Sequence, residues 1–159
     1  MAWRDRPRAG DREAVRRLVE CTGFFSAAEV EVAVELVDDA LVKGDASEYR
    51  FLFADARGGE LAGYACYGPA APGGGRWDLY WIAVAPGRQR GGLGRRLLAE
   101  AERRALAGGA TEMTIDTAGR AQYAPTRAFY ERMGYAVLEV VPDFYSPGDD
   151  KVAYRKRLA

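Results

Sequence analysis

The chain has 159 residues, 48% of them hydrophobic, with 23 basic and 23 acidic side chains and no histidine. That length suits a single domain with a sizeable core. A formal charge of zero without a basic block argues against a nucleic-acid partner, and no apolar run is long enough to cross a membrane. The missing histidine removes imidazole bases, Ser-His and Cys-His pairs and most zinc sites.

Residues 3–7 read as a short edge strand. Asp11 stands at an N-cap position ahead of Val15, Leu18 and Val19, predicting a helix over 11–22 that Thr22-Gly23 breaks. Ser26-Ala-Ala-Glu29 is a capping box opening a second helix with Val30, Ala33, Val34, Val37 and Leu41 along one face. Glu29, Glu31, Glu35, Asp38 and Asp39 give its other face the character of a solvated surface. Two β-runs, 49–56 and 61–67, flank Arg57-Gly-Gly-Glu60 as a hairpin, and 77–85 is the richest strand, apolar except for Asp78. A helix with Leu97, Leu98, Ala101 and Ala105 inward and a Glu100–Arg104 pair follows, stopping at Gly108-Gly109. Then come a strand over 113–117, a short helix with Pro125 as its first residue and Phe129 and Met133 on one face, and strands over 135–141 and 151–158. A loop over 142–149, dense in turn residues, joins those two strands. The order β, α, α, β, β, β, α, β, α, β, β implies a mixed, mostly antiparallel sheet of about seven strands flanked by helices.

Between the third strand of the middle group and the next helix lies Val84-Ala-Pro-Gly-Arg-Gln-Arg-Gly-Gly-Leu-Gly94. Gly91, Gly92 and Gly94 let main-chain N–H groups approach a ligand, and the first helical turn adds unpaired donors and a partial positive charge. A diphosphate would satisfy them. The spacing rejects a nucleotide-triphosphate P-loop, because Arg95 and Arg96 follow the last glycine where Lys and Ser or Thr are needed. It also rejects the dinucleotide fingerprint, because Leu97 stands at its third glycine. Cys21 and Cys66 show no metal-ligand or redox spacing, and the start Met-Ala-Trp-Arg-Asp-Arg-Pro-Arg lacks the apolar run of a signal peptide. A cytoplasmic protein with reduced thiols and no metal is therefore expected.

Gln89-x-x-Gly92-x-Gly94, the element order, and Ala128-Phe-Tyr130-Glu-Arg-Met-Gly134-Tyr135 together resemble the GCN5-related N-acetyltransferases (the GNAT family) over essentially the whole chain. The resemblance implies a GNAT acyl-CoA N-acyltransferase fold with acetyl-CoA as co-substrate. Acetyl would pass directly to the primary amine of a small molecule or amino-acid-like acceptor in a ternary complex. It further implies that main-chain groups of Ile82, Ala83 and Val84 meet the pantetheine arm. Gln89, Arg90, Gly91, Gly92, Leu93, Gly94 and Arg95 would hold the diphosphate, and Tyr130 would be the general acid near the thioester sulfur. Tyr123 stands where many members carry asparagine, so Thr126 is expected to contribute instead. The same resemblance places the acceptor beside Phe24 and Phe25 on one side and Phe144 and Tyr145 on the other. A homodimer is left open, as are a non-catalytic acyl-CoA sensor and a protein N-acetyltransferase.

Energetics constrain the acid and the base. Direct removal of a proton from an amine of pKa about 10.4 by a carboxylate of about 3.9 is uphill by roughly 9 kcal/mol, so a water-relayed base is expected. Asp78, six residues before Val84, is the leading candidate, where histone-type members carry a glutamate; Asp116 and Asp143 are alternatives. A phenol of pKa about 10 protonates a thiolate of about 8.5 at a cost of only about 2 kcal/mol.

Overall fold

The computed structural model describes residues 1–159. Its elements follow the predicted order. They are β1 (Ala2–Arg4), α1 (Asp11–Thr22), α2 (Ala27–Lys43), β2 (Arg50–Asp55), β3 (Leu61–Pro69), β4 (Arg76–Val84), α3 (Leu93–Ala107), β5 (Glu112–Ala118), α4 (Ala124–Arg132), β6 (Ala136–Ser146) and β7 (Asp149–Arg157). The strands form one sheet in the order β1-β2-β3-β4-β5-β7-β6. β1–β2, β2–β3, β5–β7 and β6–β7 pair antiparallel, and β4–β5 pair parallel. No helix is long and apolar enough to cross a membrane.

Two compact units make up the chain, and β4 runs through both. The first comprises Met1–Gly68 and Trp81–Arg104. Its core joins Val15 and Val19 of α1 and Ala33 and Val37 of α2 to Phe51, Phe53 and Tyr64 of the sheet. Ser26 closes the expected capping box: its hydroxyl accepts from the Glu29 N–H at 3.1 Å, while its own N–H donates to the Glu29 carboxylate at 3.0 Å. The cap of α1 differs from expectation. Gly10 is the N-cap, and Asp11 is the first helical residue, its buried carboxylate accepting from the Arg8 N–H at 2.8 Å and from the Arg4 guanidinium at 2.8 and 2.9 Å. A carboxylate that deep is held by a cation rather than spent on a cap. Leu41 is exposed and Ala40 buried, so the inward face of α2 ends one residue earlier than its pattern suggests. The acidic face is solvated but paired, Glu31 with Arg16, Asp38 with Arg12 at 3.0 Å and Asp39 with Lys43 at 2.7 Å.

Pro69–Tyr80 and Ala105–Ala159 form the second unit. β7 lies between β5 and β6, and Met113, Ile115, Tyr130, Tyr135 and Tyr154 are buried. The expected loop over 142–149 is mostly strand: β6 continues to Ser146, and only Pro147 and Gly148 turn before β7. Pro142 is tolerated because β6 is an edge, where a missing N–H costs no ladder bond. The register shifts between Val141 and Ser146, where Asp143 takes φ of 55°. The Asp143 N–H donates to Asp150 at 3.0 Å, and its carboxylate accepts the Gly148 N–H at 2.7 Å. Turn-forming residues have been used to build a bulge and a tight turn instead of a loop.

Candidate functional site

In the first unit, β4 ends with Ala83 buried and Ile82 and Val84 half-buried, and the Ala85 N–H still donates to the Ala62 carbonyl at 2.8 Å. One turn of 3-10 helix, Pro86–Arg88, then reverses the chain, the Arg88 N–H reaching the Ala85 carbonyl at 2.8 Å. Gln89 turns its amide back and donates to the Val84 carbonyl at 3.3 Å, so its side chain braces the bend. Gly92 sits at φ of 76°, a left-handed conformation that glycine takes without strain, and its carbonyl accepts the Arg96 N–H at 3.1 Å to start α3. Nothing lies within 4 Å of where a Cβ on Gly92 would stand, so the space before the turn is open.

Leu93 and Leu97 of α3 are buried and fix the helix to the sheet. Gly63 makes that approach possible: a Cβ there would lie 3.0 Å from the Ala83 carbonyl oxygen and 3.1 Å from Leu97. Leu93 can therefore meet a ligand only through its main chain. The arginines divide. Arg88 pairs with Glu60 at 3.3 Å and Arg96 lies over the Trp3 ring at 5.1 Å, whereas Arg90 and Arg95 are exposed at the turn.

In the second unit, Tyr130 of α4 is 5% exposed, its ring among those of Phe129, Tyr135 and Tyr154 at centroid distances of 5.5, 6.1 and 6.0 Å. Pro125 is the second residue of α4, and Thr126 beside it is half-buried. The Tyr135 N–H donates to the Tyr130 carbonyl at 3.0 Å past Gly134, which closes the helix at φ of 93°. Burial alone pushes the Tyr130 phenol well above its ordinary value, so it holds its proton at every physiological pH. Tyr123 is buried, with the Arg120 guanidinium 5.2 Å from its ring.

Asp78 stands opposite Thr114 in the parallel register, which runs from Arg76 and Glu112 to Leu79 and Ile115. It accepts a hydrogen bond from the Thr114 hydroxyl and lies 3.4 Å from Arg76 Nε. Thr114 was not legible as a site residue, because its neighbour is 36 positions away and is set by strand pairing. Of the alternatives, Asp116 is exposed on β5 and Asp143 is occupied in the β6–β7 turn. The four aromatic candidates fall in different units. Phe25 packs edge-on against Trp81 at 4.8 Å beside the first unit's core, and Phe24 is exposed. Phe144 and Tyr145 are exposed on β6, in T-shaped contact at 5.0 Å, with Lys151 Nζ 4.5 Å from the Phe144 centroid.

The sequence profile of the acetyltransferase (GNAT) family matches residues 13–135, well over half of the chain. The chain belongs to the GNAT family. A GNAT-family protein of Desulfovibrio desulfuricans is 48% identical, each chain covered to 99%, with a TM-score of 0.94. This GNAT chain shares its fold with more distant acetyltransferases as well. One is an aminoglycoside 6'-N-acetyltransferase in complex with coenzyme A, at 18% identity, 100% and 98% coverage and a TM-score of 0.79. Another is the ribosomal-protein-S18-alanine N-acetyltransferase of Escherichia coli, at 19% identity, 99% and 94% coverage and a TM-score of 0.78. No functionally curated protein matches the GNAT chain in sequence.

Proposed function

We propose that this protein is an acetyl-CoA-dependent N-acetyltransferase acting on the primary amine of a small molecule or amino-acid-like acceptor. The observation that carries the reading is the bend at Gln89–Gly94: a left-handed Gly92 before open space, at the start of α3, braced from behind by Gln89. Main-chain N–H groups there, with the α3 dipole, suit a diphosphate, and Arg90 and Arg95 are the cations left to assist. A fold neighbour holding coenzyme A supports the choice of ligand.

Bound acetyl-CoA supplies the activated acetyl group as a thioester. The chain's own residues orient it and manage protons. Ile82, Ala83 and Val84 lie beyond the last β4–β5 register pair, Leu79 with Ile115, and we assign their main-chain groups to the pantetheine arm. One of those N–H groups would steady negative charge on the carbonyl oxygen. Tyr130 would give its proton to the leaving sulfur. Because burial raises this phenol, Tyr130 would keep its proton until negative charge develops on the sulfur. Asp78, oriented by Thr114, would take the amine's proton through water. Phe24, Phe25, Phe144 and Tyr145 are assigned to an acceptor with an apolar part, and Thr126 to the middle of the cofactor.

The test is release of free thiol from acetyl-CoA across a panel of primary amines, alongside calorimetry with coenzyme A. Amine-dependent release with tight binding is the expected result. Binding without acceleration by any amine would turn the reading into an acyl-CoA sensor, and acceleration only by peptide amines would move the acceptor to proteins. For Asp78, the expected signature is a fall in kcat in Asp78→Asn with coenzyme A affinity unchanged. An unchanged rate would leave it a structural partner of Thr114.

A further inference from the structure

Between α1, β1, the β2–β3 turn and the Ala85–Pro86 segment lies a cavity of about 380 Å³, none of whose wall residues is assigned to the cofactor or the acceptor. All of that wall belongs to the first unit. Six wall residues are charged: Arg4, Arg8, Arg17, Asp11, Asp55 and Glu60. Arg4 bridges Asp11 and Asp55 at 2.8 and 2.5 Å, Arg8 lies 3.6 Å from Asp55, and Glu60 is held by Arg88 at 3.3 Å. Arg17, exposed on α1, is left without an opposite charge. With Arg88 counted, four cations stand against three carboxylates, and the charge left over is that of Arg17. Around it the wall is apolar, formed by Ala14, Leu18, Leu61 and Pro86.

We propose that this cavity is an effector site for a small carboxylate with an apolar tail, and that its occupant tightens coenzyme A. The guanidinium fork of Arg17 takes a carboxylate in two parallel hydrogen bonds, and one negative charge is all that the wall leaves uncompensated. A second, such as a phosphate monoester carries, would meet Asp11 and Asp55 with no further free cation. The tail removes Ala14, Leu18, Leu61 and Pro86 from water. Coupling to the bend follows from what the wall is made of. Pro86 opens the 3-10 turn that leads into Gln89, and Glu60 holds Arg88 of the same turn. A tail packed on Pro86 fixes the base of the bend, so less ordering remains when a diphosphate arrives. The coupling, unlike the binding, rests on the proposed role of Gln89–Gly94.

The chain carries its own reporter. Cys21 is exposed and lines the cavity, whereas Cys66 is fully buried, so iodoacetamide labelling reads Cys21 alone. Octanoate is expected to slow that labelling saturably. Octanol, which has the tail without the charge, and inorganic phosphate, which has charge without the tail, should leave it unchanged. Arg17→Glu, at an exposed position of α1, should weaken octanoate by roughly tenfold or more. By calorimetry, saturating octanoate should tighten coenzyme A by about fivefold or more in wild type and not in Arg17→Glu. Labelling that ignores octanoate, protection equalled by octanol or phosphate, or protection unchanged in folded Arg17→Glu would each overturn the site. Coenzyme A affinity indifferent to bound octanoate would overturn the coupling. If the protein bound no coenzyme A at all, the reading of the bend would fall and the coupling with it, while protection of Cys21 would still decide the site.

Discussion

Between Gln89 and Gly94 the groups proposed to meet a ligand are main-chain donors on an exposed bend. Around Tyr130 what is offered is one hydroxyl on a ring walled in by Phe129, Tyr135 and Tyr154. A main-chain cradle tolerates changes in neighbouring side chains but not a change in backbone conformation, since its donors exist at every residue and only their direction is special. A buried side-chain donor is the reverse: its surroundings hold it rigidly, and deletion of one oxygen removes it. The first arrangement suits a large ligand gripped at several points, and the second suits a single proton delivered to one atom.

The largest way to break this contrast is Tyr130→Phe. The ring and its packing stay, so the fold should persist, while kcat falls by about 10²–10⁴ with KM nearly unchanged. Because burial raises the phenol, wild-type kcat/KM should show no falling limb from Tyr130 below about pH 10. A limb near that pH that disappears in Tyr130→Phe would mean the hydroxyl is wetter than its 5% exposure implies.

Next comes Gly92→Glu. A non-glycine residue at φ of 76° is strained by about 1–2 kcal/mol, and a carboxylate is placed before the donors. Coenzyme A affinity should drop by about a hundredfold or more, the worth of one or two charge-assisted hydrogen bonds. Calorimetry showing unaltered affinity in a folded variant would take the diphosphate away from this bend.

A smaller effect is expected of Gly63→Ala, which touches no ligand. Its Cβ would press on the Ala83 carbonyl at 3.0 Å and on Leu93 and Leu97, costing about 1–3 kcal/mol in denaturant unfolding and shifting α3 with the bend it carries. The smallest is Glu100→Gln. Arg103 first, and then Arg104, hold the Glu100 carboxyl down to about 2, so its contribution to stability is present above pH 4.5 and is lost as pH falls through 2. On this solvent-washed helix face the pair is worth about 0.3–0.5 kcal/mol, and the gap between variant and wild type should close on acidification.

Local pattern was enough wherever a residue's role depends on neighbours three or four positions away. The capping box at Ser26, the inward row of Leu97, Leu98, Ala101 and Ala105 and the Glu100–Arg104 pair at 2.9 Å all appear as read. The glycine bend was legible for the same reason, since helix start and glycine spacing are both local. Asp78 shows where that reading ends. Its sequence neighbours say only that a charge interrupts an apolar strand, and the Thr114 hydroxyl arrives through parallel pairing across a helix and two turns. Residues 142–149 misled for a different reason. Pro, Asp, Ser and Gly signal a loop unless the strand is at an edge, and no local feature reports edge position.

What the amino-acid order determined alone was the succession of elements, the family signature and the residue types available for proton transfer, because periodicity, caps and turn chemistry act over a few residues. Tertiary structure decided which of those residues are buried, paired or bare. The Arg4 bridge between Asp11 and Asp55, the depth of Tyr130 and the long exposed face of β6 all follow from strands and helices distant in the chain being brought together. Desolvation and strand pairing depend on that assembly and leave no local trace in the sequence.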